Sequence, residues 1–519
     1  MIRKSSDLTL VDMFTRVSSS FPKKTAVVFG SKKITYASLR VAVDKLAAGL
    51  YNLGLGRNDH ACLWLPNCPE FVYSYFAILK VGATVVPINS MFKREEAKFV
   101  VEDSQAKILI CSIDKLDEAK VILSRVDSLK HLVCVPSCKE KGCLGFYKLI
   151  KQAGVFKHSF SISGDSIAEI LYTSGTTGRP KGACLSHGNL LANIRDAALA
   201  INMRKNDCAL CILPLFHSFA STVCMLLPIY AGAKIVIMRT IRPFKRVIRA
   251  VFKNKVTVFV AVPSLYTILA EHKLSWYKLL LARILNPVRL CISGAAALPK
   301  ETLKRFESKF KRPLLEGYGL TEASPVVSLN PLKGKRKLGS VGLVFASLRI
   351  KIVDKQGRLL AADEVGELLV KGPSVMKGYY RLEEESEKTL RDGWLYTGDL
   401  AKIDTEGHIH IMGRIKDMIN VRGLNVYPRE IEDVLYKHPK VKEASVVGVL
   451  HRHRGEVPVV FVIPAGGIKE RELISYLRAN LASYKVPLKV IFKEVFPKNS
   501  TGKILKRELQ EEIKDIFNQ

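Results

Sequence analysis

Eleven residues, Tyr172-Thr-Ser-Gly-Thr-Thr-Gly-Arg-Pro-Lys-Gly182, concentrate three glycines, three threonines, one serine and one lysine. Glycine lets an anion approach the backbone, hydroxyls and free N–H groups donate to it, and lysine supplies charge. Thr173, Ser174, Gly175, Thr176, Thr177, Gly178 and Lys181 therefore have the chemistry of a polyphosphate cradle. The Walker spacing is absent, because Arg179 follows Gly178 and Gly182 follows Lys181. Composition alone also allows a flexible surface hairpin.

The flanks define how such a loop is held. Ile167–Tyr172 is a short apolar run that reads as a buried strand, and Gly182–His187 reads as a second one. A helix follows, with Leu190, Ile194, Ala197, Ala198 and Ile201 on one face. The expected unit is thus strand–loop–strand. From Cys208 to Ala233 there is no formal charge for 26 residues. That length could span a membrane, but Pro214, His217, Ser218, Ser221, Pro228 and Gly232 interrupt it. A buried strand, a polar turn at Pro214-Leu-Phe-His-Ser218 and a core helix are expected instead.

Further chemistry-bearing segments follow in order. Ser293-Gly-Ala-Ala-Ala297 turns after the strand-like Val288–Ile292, and Glu316-Gly-Tyr-Gly-Leu-Thr-Glu322 sets an aromatic beside a hydroxyl and a carboxylate. Tyr396-Thr-Gly-Asp-Leu400 carries an aspartate, and Gly413-Arg-Ile-Lys-Asp-Met-Ile419 leads into Asn420–Pro428. Asn499-Ser-Thr-Gly-Lys503 precedes a charged helix whose apolar stripe is Leu505, Leu509, Ile513 and Phe517.

The chain of 519 residues is too long for one core and predicts several structural units. Its eleven cysteines are scattered, which suits a reducing cytoplasm better than a disulfide framework. His131, Cys134, Cys138 and Cys143 match no compact zinc spacing. Cys208 and Cys211, three apart on a strand, face opposite sides and make a poor redox pair. Met1–Asp7 lacks the apolar core of a signal peptide, so a cytoplasmic protein is expected. The formal net charge is +33, with local density at 241–255, 300–312, 333–337 and 498–507. An anionic membrane face, polyanionic small substrates or a lysine-rich compositional bias all fit that excess. Nucleic acid fits least, since no recognition motif accompanies the charge.

In this order the segments resemble the adenylate-forming superfamily of acyl-coenzyme A synthetases, luciferases and adenylation domains, from about residue 10 to about 510. The resemblance implies an α/β multidomain fold. Residues 1–413 would form a large N-terminal domain of β/α subdomains plus a small barrel, 414–416 a hinge, and 417–519 a small mobile α+β lid. It implies ATP, Mg²⁺ and coenzyme A as ligands, and it allows a homodimer. The Thr173–Lys181 loop would hold the β- and γ-phosphates, while Gly294, Ala295, Ala296, Tyr318 and Gly319 would bracket adenine. Thr321 would bond the α-phosphate, Glu322 would ligate Mg²⁺, and Asp399 beside Arg414 would accept the ribose hydroxyls. His217 would position the substrate carboxylate, and Lys503 would neutralise charge at the α-phosphorus. Lys416 would be the pivot, and Gly423 would line the pantetheine tunnel in a second pose.

Leu65–Phe71, Ala77–Asn89 and Leu315–Val326 are more similar to bacterial medium- and long-chain fatty acid ligases than to aryl or amino-acid activators. Ser221, Val223 and Val262–Tyr266 are candidate walls of an acyl tunnel. Arg422 and the basic stretch His451–Glu456 depart from the family pattern, which bears on coenzyme A affinity and lid docking. The expected activity is AMP-forming ligation of a fatty acid to coenzyme A, in the cytoplasm or at the inner membrane face. A carrier-protein thiol as acceptor, an aryl or short-chain acid, and an inactive lipid-binding scaffold remain alternatives.

Overall fold

The structure is a computed structural model that describes residues 9–138, 140–154, 156, 158, 160–173, 179–272, 275–422, 424–451, 455–500 and 502–517. Two largely parallel sheets form its centre. The first has nine strands in the order Leu343–Val344, Val326–Leu329, Leu314–Gly319, Leu290–Ser293, Val258–Ala261, Cys208–Cys211, Lys234–Ile237, Thr25–Phe29, Lys32–Thr35. The second has seven, in the order Leu144–Gly145, His131–Val135, Ile108–Ser112, His60–Trp64, Thr84–Pro87, Ile167–Thr173, Lys181–Ser186.

Parallel strands buried on both faces read as continuous apolar runs, and Val258-Phe-Val-Ala261 and Ile108-Leu-Ile-Cys-Ser112 are of that kind. Helices Leu10–Ser20, Tyr36–Asn52, Pro69–Lys80 and His187–Ala200 fill the space between the sheets as one core. Helices Arg94–Asp103 and Leu116–Leu123 cover the outer face of the seven-stranded sheet. Phe244–Asn254, Pro263–Glu271 and Lys300–Phe310 cover that of the nine-stranded one. Cys208 belongs to the outer core and Cys211 to the inner one, so this Cys-x-x-Cys pair does face opposite sides.

The uncharged run from Cys208 becomes a buried strand, a turn, and a buried helical segment from Ser218 to Tyr230, π-helical over Ser221–Leu226. Among the described residues no helix is long and apolar enough to cross a membrane.

A third, antiparallel sheet (Arg349–Val353, Gly366–Lys371, Trp394–Ile403, Leu390–Arg391, Ile409–Arg414) forms the small half-barrel. A short turn, Ile415–Asp417, connects it to the last sheet, whose strands lie between Ile419 and Phe492. The terminal helix Lys506–Phe517 buries Leu509 and Ile513 against that sheet, as its apolar stripe requires.

Candidate active site

Ligands of open α/β sheets gather beyond the carboxyl ends of the strands. Here those ends converge on one cleft of about 1180 Å³, lined by Thr173, Ser293-Gly294, Gly317–Glu322, Gly398, Arg414 and Lys503 among others. Pockets for one small ligand run to roughly 1000 Å³, so the cleft is slightly larger than the top of that range.

The loop flanks are the expected antiparallel pair, with Thr173 opposite Lys181 across the ladder. Ser174–Gly178 lie outside the described residues. The strand Lys181–Ser186 is also bonded along the segment 377–380, where Cys184 N–H donates to the Gly378 carbonyl at 2.9 Å and Tyr380 N–H to the Gly182 carbonyl at 2.7 Å. This brings Tyr379 and Glu385 to the cradle. Lys181 pairs with Glu385 and stands 5.4 Å from the Tyr379 ring, while the Tyr379 hydroxyl donates to Glu322 at 2.9 Å.

On the opposite wall, Tyr318 donates its hydroxyl to Asp399 at 2.5 Å, and Arg414 forms an ion pair with the same carboxylate at 3.0 Å. The pair Asp399–Arg414 is set by register, the two residues being direct partners between neighbouring strands. Burial, then the adjacent Asp399 charge, drives the Tyr318 phenol well above its ordinary value, so it stays a donor. Two glycines here are steric requirements. A Cβ on Gly319 would fall 2.1 Å from the Pro325 carbonyl oxygen, and one on Gly294 would fall 2.7 Å from the Phe219 ring. Ala295 sits beside Gly294 on the cleft wall with a left-handed φ of 67°. Ala296 is half-buried next to it and does not line the cleft.

Thr321 exchanges a 3.2 Å hydrogen bond with Ser218. His217 caps the helical segment that starts at Ser218, its Nδ1 accepting from Phe219 N–H at 3.3 Å. Burial first, and then the Lys503 ammonium, push His217 down to about 4, leaving a neutral imidazole at physiological pH.

Lys503 reaches this wall from the last domain. Its turn is closed by Lys503 N–H donating to the Asn499 side chain at 2.9 Å and by Gly502 N–H donating to the Asn499 carbonyl at 2.9 Å. A Cβ built on Gly502 would stand 3.5 Å from Ser264 Oγ, so the turn rests on the start of the helix Pro263–Glu271. The Lys503 side chain is exposed to the water of the open cleft, with protein packed around its base. Partial desolvation there, and then repulsion from Arg414, lower its affinity for a proton.

Three more contacts join the last domain to the large one. Arg429 lies 3.9 Å from the buried Glu316 and donates to the Ile411 carbonyl at 3.0 Å, and Lys300 pairs with Asp433 at 3.1 Å. Burial pushes Glu316 up to about 7, against the pull of Arg429. Lys416 is exposed on the connecting turn outside the cleft lining. Gly423 lies outside the described residues, as do 452–454; Arg422 is exposed with φ 51°.

The cleft lining also includes the apolar side chains Ile201, Phe216, Val223, Leu227, Val326, Leu329 and Phe345. Of the acyl walls expected from sequence, Val223 is there. Ser221 is instead fully buried, donating to the Ser218 carbonyl at 3.1 Å. Tyr266 anchors the core through the Phe259 and Ile292 carbonyls at 2.8 and 3.0 Å. Val262 and Ser264 face Gly502. Tyr379, Glu385, Ser218 and the Glu316–Arg429 contact were not read from the sequence; the paired aromatics of Lys377-Gly-Tyr-Tyr-Arg381 were the available signal for the first of them.

The family model for the AMP-binding enzyme matches residues 14–380, and that for the AMP-binding enzyme C-terminal domain matches 430–503. The chain is 36% identical to a long-chain-fatty-acid–CoA ligase of Bacillus subtilis, over 97% of this chain and 94% of that one. It is 33% identical to a feruloyl-CoA synthase of Amycolatopsis, over 94% and 96%. Among solved structures, the anthranilate CoA ligase AuaEII in complex with anthranoyl-AMP superposes with a TM-score of 0.92 at 27% identity, covering 99% of this chain and 100% of that one. With family models matched in both halves and relatives aligned end to end, the chain belongs to the AMP-binding enzyme family of adenylate-forming proteins and groups with its AMP-forming acid–CoA ligases.

Proposed function

We propose that the protein joins a medium- to long-chain fatty acid to coenzyme A in two steps, through an acyl-adenylate formed from ATP. One observation carries this reading. Lys181, Glu322, Thr321, the Tyr318–Asp399–Arg414 cluster and Lys503 converge on a single cleft that Ile201, Val223, Leu227 and Phe345 also line. The first group suits a nucleotide and the second suits an alkyl chain.

Attack of a carboxylate on the α-phosphorus brings two anions together. Lys503 offsets their repulsion, Thr321 donates to the α-phosphate, and neutral His217 orients the acid without pairing with it as a cation. Lys181 and the loop before it hold the β- and γ-phosphates that leave. Asp399 has lone pairs beyond those taken by Tyr318 and Arg414, and these accept the ribose hydroxyls. Gly294, Ala295 and Tyr318 form the adenine slot, with Ala296 and Gly319 behind it. Glu322 fits a hard cation that takes most of its ligands from phosphate oxygens, and Mg²⁺ bound there would neutralise phosphate charge.

For the second step, we assign residues 1–413 to a fixed body, 414–416 with Lys416 to a hinge, and 417–519 to a lid. Rotation withdraws Lys503 and presents the Gly423 segment to coenzyme A. The lipid nature of the acid suits an enzyme working in the cytoplasm against an anionic membrane face.

The similarity to a feruloyl-CoA synthase favours an aryl acid as the second reading. The two separate in a pyrophosphate-release assay across saturated fatty acids of graded length, ferulate, coumarate and benzoate, with coenzyme A or acyl carrier protein as acceptor. The fatty acid proposal expects turnover to peak with a long aliphatic acid and coenzyme A. A peak with ferulate or benzoate overturns the choice of acid, and transfer to the carrier protein alone overturns the acceptor.

A further inference from the structure

The outer helical layer of the nine-stranded sheet carries an apolar stripe that is exposed among the described residues. On the helix Trp276–Ile284, Trp276, Leu280 and Ile284 follow one another at intervals of four, so they share a face. They are 78%, 48% and 68% exposed, and Leu285 just beyond is 62% exposed. The helix is nonetheless fixed to the body, because Arg283 donates to the Lys309 and Ser308 carbonyls at 2.9 and 3.2 Å.

A second helix on the outer side of the same sheet, Phe244–Asn254, has a comparable design. Val247 and Val251 enter the core against the sheet, Ile248 and Phe252 stay exposed on its shoulder, and Lys245, Arg246, Arg249 and Lys253 occupy the outward face. Among the described residues these four cations form no ion pair. No acidic residue occurs from Arg239 to Ala270, or from His272 to Lys300. Phe244–Asn254 belongs to the outer layer, because Val247 and Val251 share a core with Leu265, Tyr266 and Phe306, and Trp276–Ile284 is tied to the Lys300–Phe310 helix of that layer through Arg283.

We propose that this layer docks on an anionic lipid bilayer, with Trp276, Leu280 and Ile284 entering the boundary between headgroups and acyl chains and the arginines and lysines of Phe244–Asn254 meeting lipid phosphate. An amphipathic surface of this kind lies in the interface, where Trp is favoured and basic side chains snorkel. The helix Trp276–Ile284 is too short to cross. A second copy of the chain would oppose the same uncompensated cations, so like-charge repulsion disfavours a dimer on this face. The proposal deepens the lipid-facing part of the function and leaves the identity of the acid aside.

The test is flotation of the full-length protein with vesicles of phosphatidylcholine alone or mixed with phosphatidylglycerol. Binding is expected to need the anionic lipid, to fade as salt rises, and to weaken roughly fivefold for each charge removed in Arg246→Ala and Arg249→Ala. Trp276→Ser with Leu280→Ser and Ile284→Ser should abolish it, while pyrophosphate release with a water-soluble acid stays unchanged. If that triple variant does not fold, emission of the wild type minus that of Trp276→Phe replaces it, and quenching by bromolipid is expected. Three results overturn the proposal: no vesicle binding, binding indifferent to lipid charge and to the apolar substitutions, or a Trp276 signal untouched by bromolipid. A wild-type dimer that the triple variant dissociates, without any effect of vesicles, overturns it equally. Because flotation needs no catalysis, its failure leaves the ligase reading standing, and an inactive protein that still binds leaves this one standing.

Discussion

Replacing Tyr318 by Phe removes one oxygen and keeps the ring. In the intact protein that oxygen donates to Asp399 at 2.5 Å, and Asp399 is only 5% exposed while it also holds Arg414 at 3.0 Å. A hydrogen bond to a charged acceptor contributes about 1.5–3 kcal/mol. Asp399 keeps Arg414 as its partner, so the lower end, about 1.5 kcal/mol or roughly tenfold, is the expected effect. If the bond orients the ring for adenine, the KM for ATP rises by about that factor, and urea denaturation shows a loss of similar size or smaller. A double-mutant cycle with Asp399→Asn isolates the contact, and the two substitutions together should fall short of their sum by about 1 kcal/mol or more. ATP titration of acid-dependent pyrophosphate exchange and urea unfolding provide the readouts. Additivity within about 0.5 kcal/mol in both would refute the tether.

Four further outcomes are expected. Lys503→Ala should cut acyl-adenylate formation about 100- to 1000-fold while sparing thioester formation from supplied acyl-adenylate; equal loss in both steps contradicts the two-pose hinge. Gly319→Ala should destabilise the protein more than Gly294→Ala in urea unfolding, because its Cβ meets the Pro325 backbone at 2.1 Å, whereas Gly294 meets the Phe219 ring, a side chain that can turn. Arg429→Ala, which leaves every cleft residue in place, should loosen the lid in the pose with Lys503 inside; protease cleavage near residues 415–417 that does not increase argues against this. Burial pushes Glu169 up to about 8, with the Tyr75 hydroxyl 3.2 Å away as a partial offset. The folded state therefore binds this proton more tightly than the unfolded chain does. The associated stability is complete near pH 4 and is lost as pH rises toward 8. Relative to wild type, Glu169→Gln should gain on the order of 3 kcal/mol between pH 5 and pH 8, and a parallel pH dependence would refute it.

What the sequence made legible was local. The strands flanking residues 174–178, the helix His187–Ala200 and the stripe Leu509–Ile513 follow from apolar periodicity and glycine placement, and all lie where expected. Most of the described site residues line one cleft; Ala296, Asp399 and Lys416 do not, although Asp399 is bound to Tyr318 and Arg414, which do. Distant partners were not legible. Lys181 and Glu385 are 204 residues apart and Glu322 and Tyr379 are 57 apart, and periodicity carries no information about such pairing. The assignment of Val262–Tyr266 to the acyl wall failed for a related reason. Its apolar composition is that of a tunnel or a core alike, and only the hydrogen bonds of Tyr266 to two strand carbonyls decide for the core. The π-helical turn Ser221–Leu226 escaped notice because one extra residue per turn leaves no compositional mark.

The most direct test of the proposed chemistry omits coenzyme A. Wild-type protein mixed with ATP, Mg²⁺ and a long-chain fatty acid should accumulate acyl-AMP detectable by mass spectrometry. Added coenzyme A should then discharge it to acyl-CoA and free AMP. ADP and acyl phosphate in place of AMP and acyl-AMP, or no acid-dependent product with any acid tried, would contradict attack at the α-phosphorus.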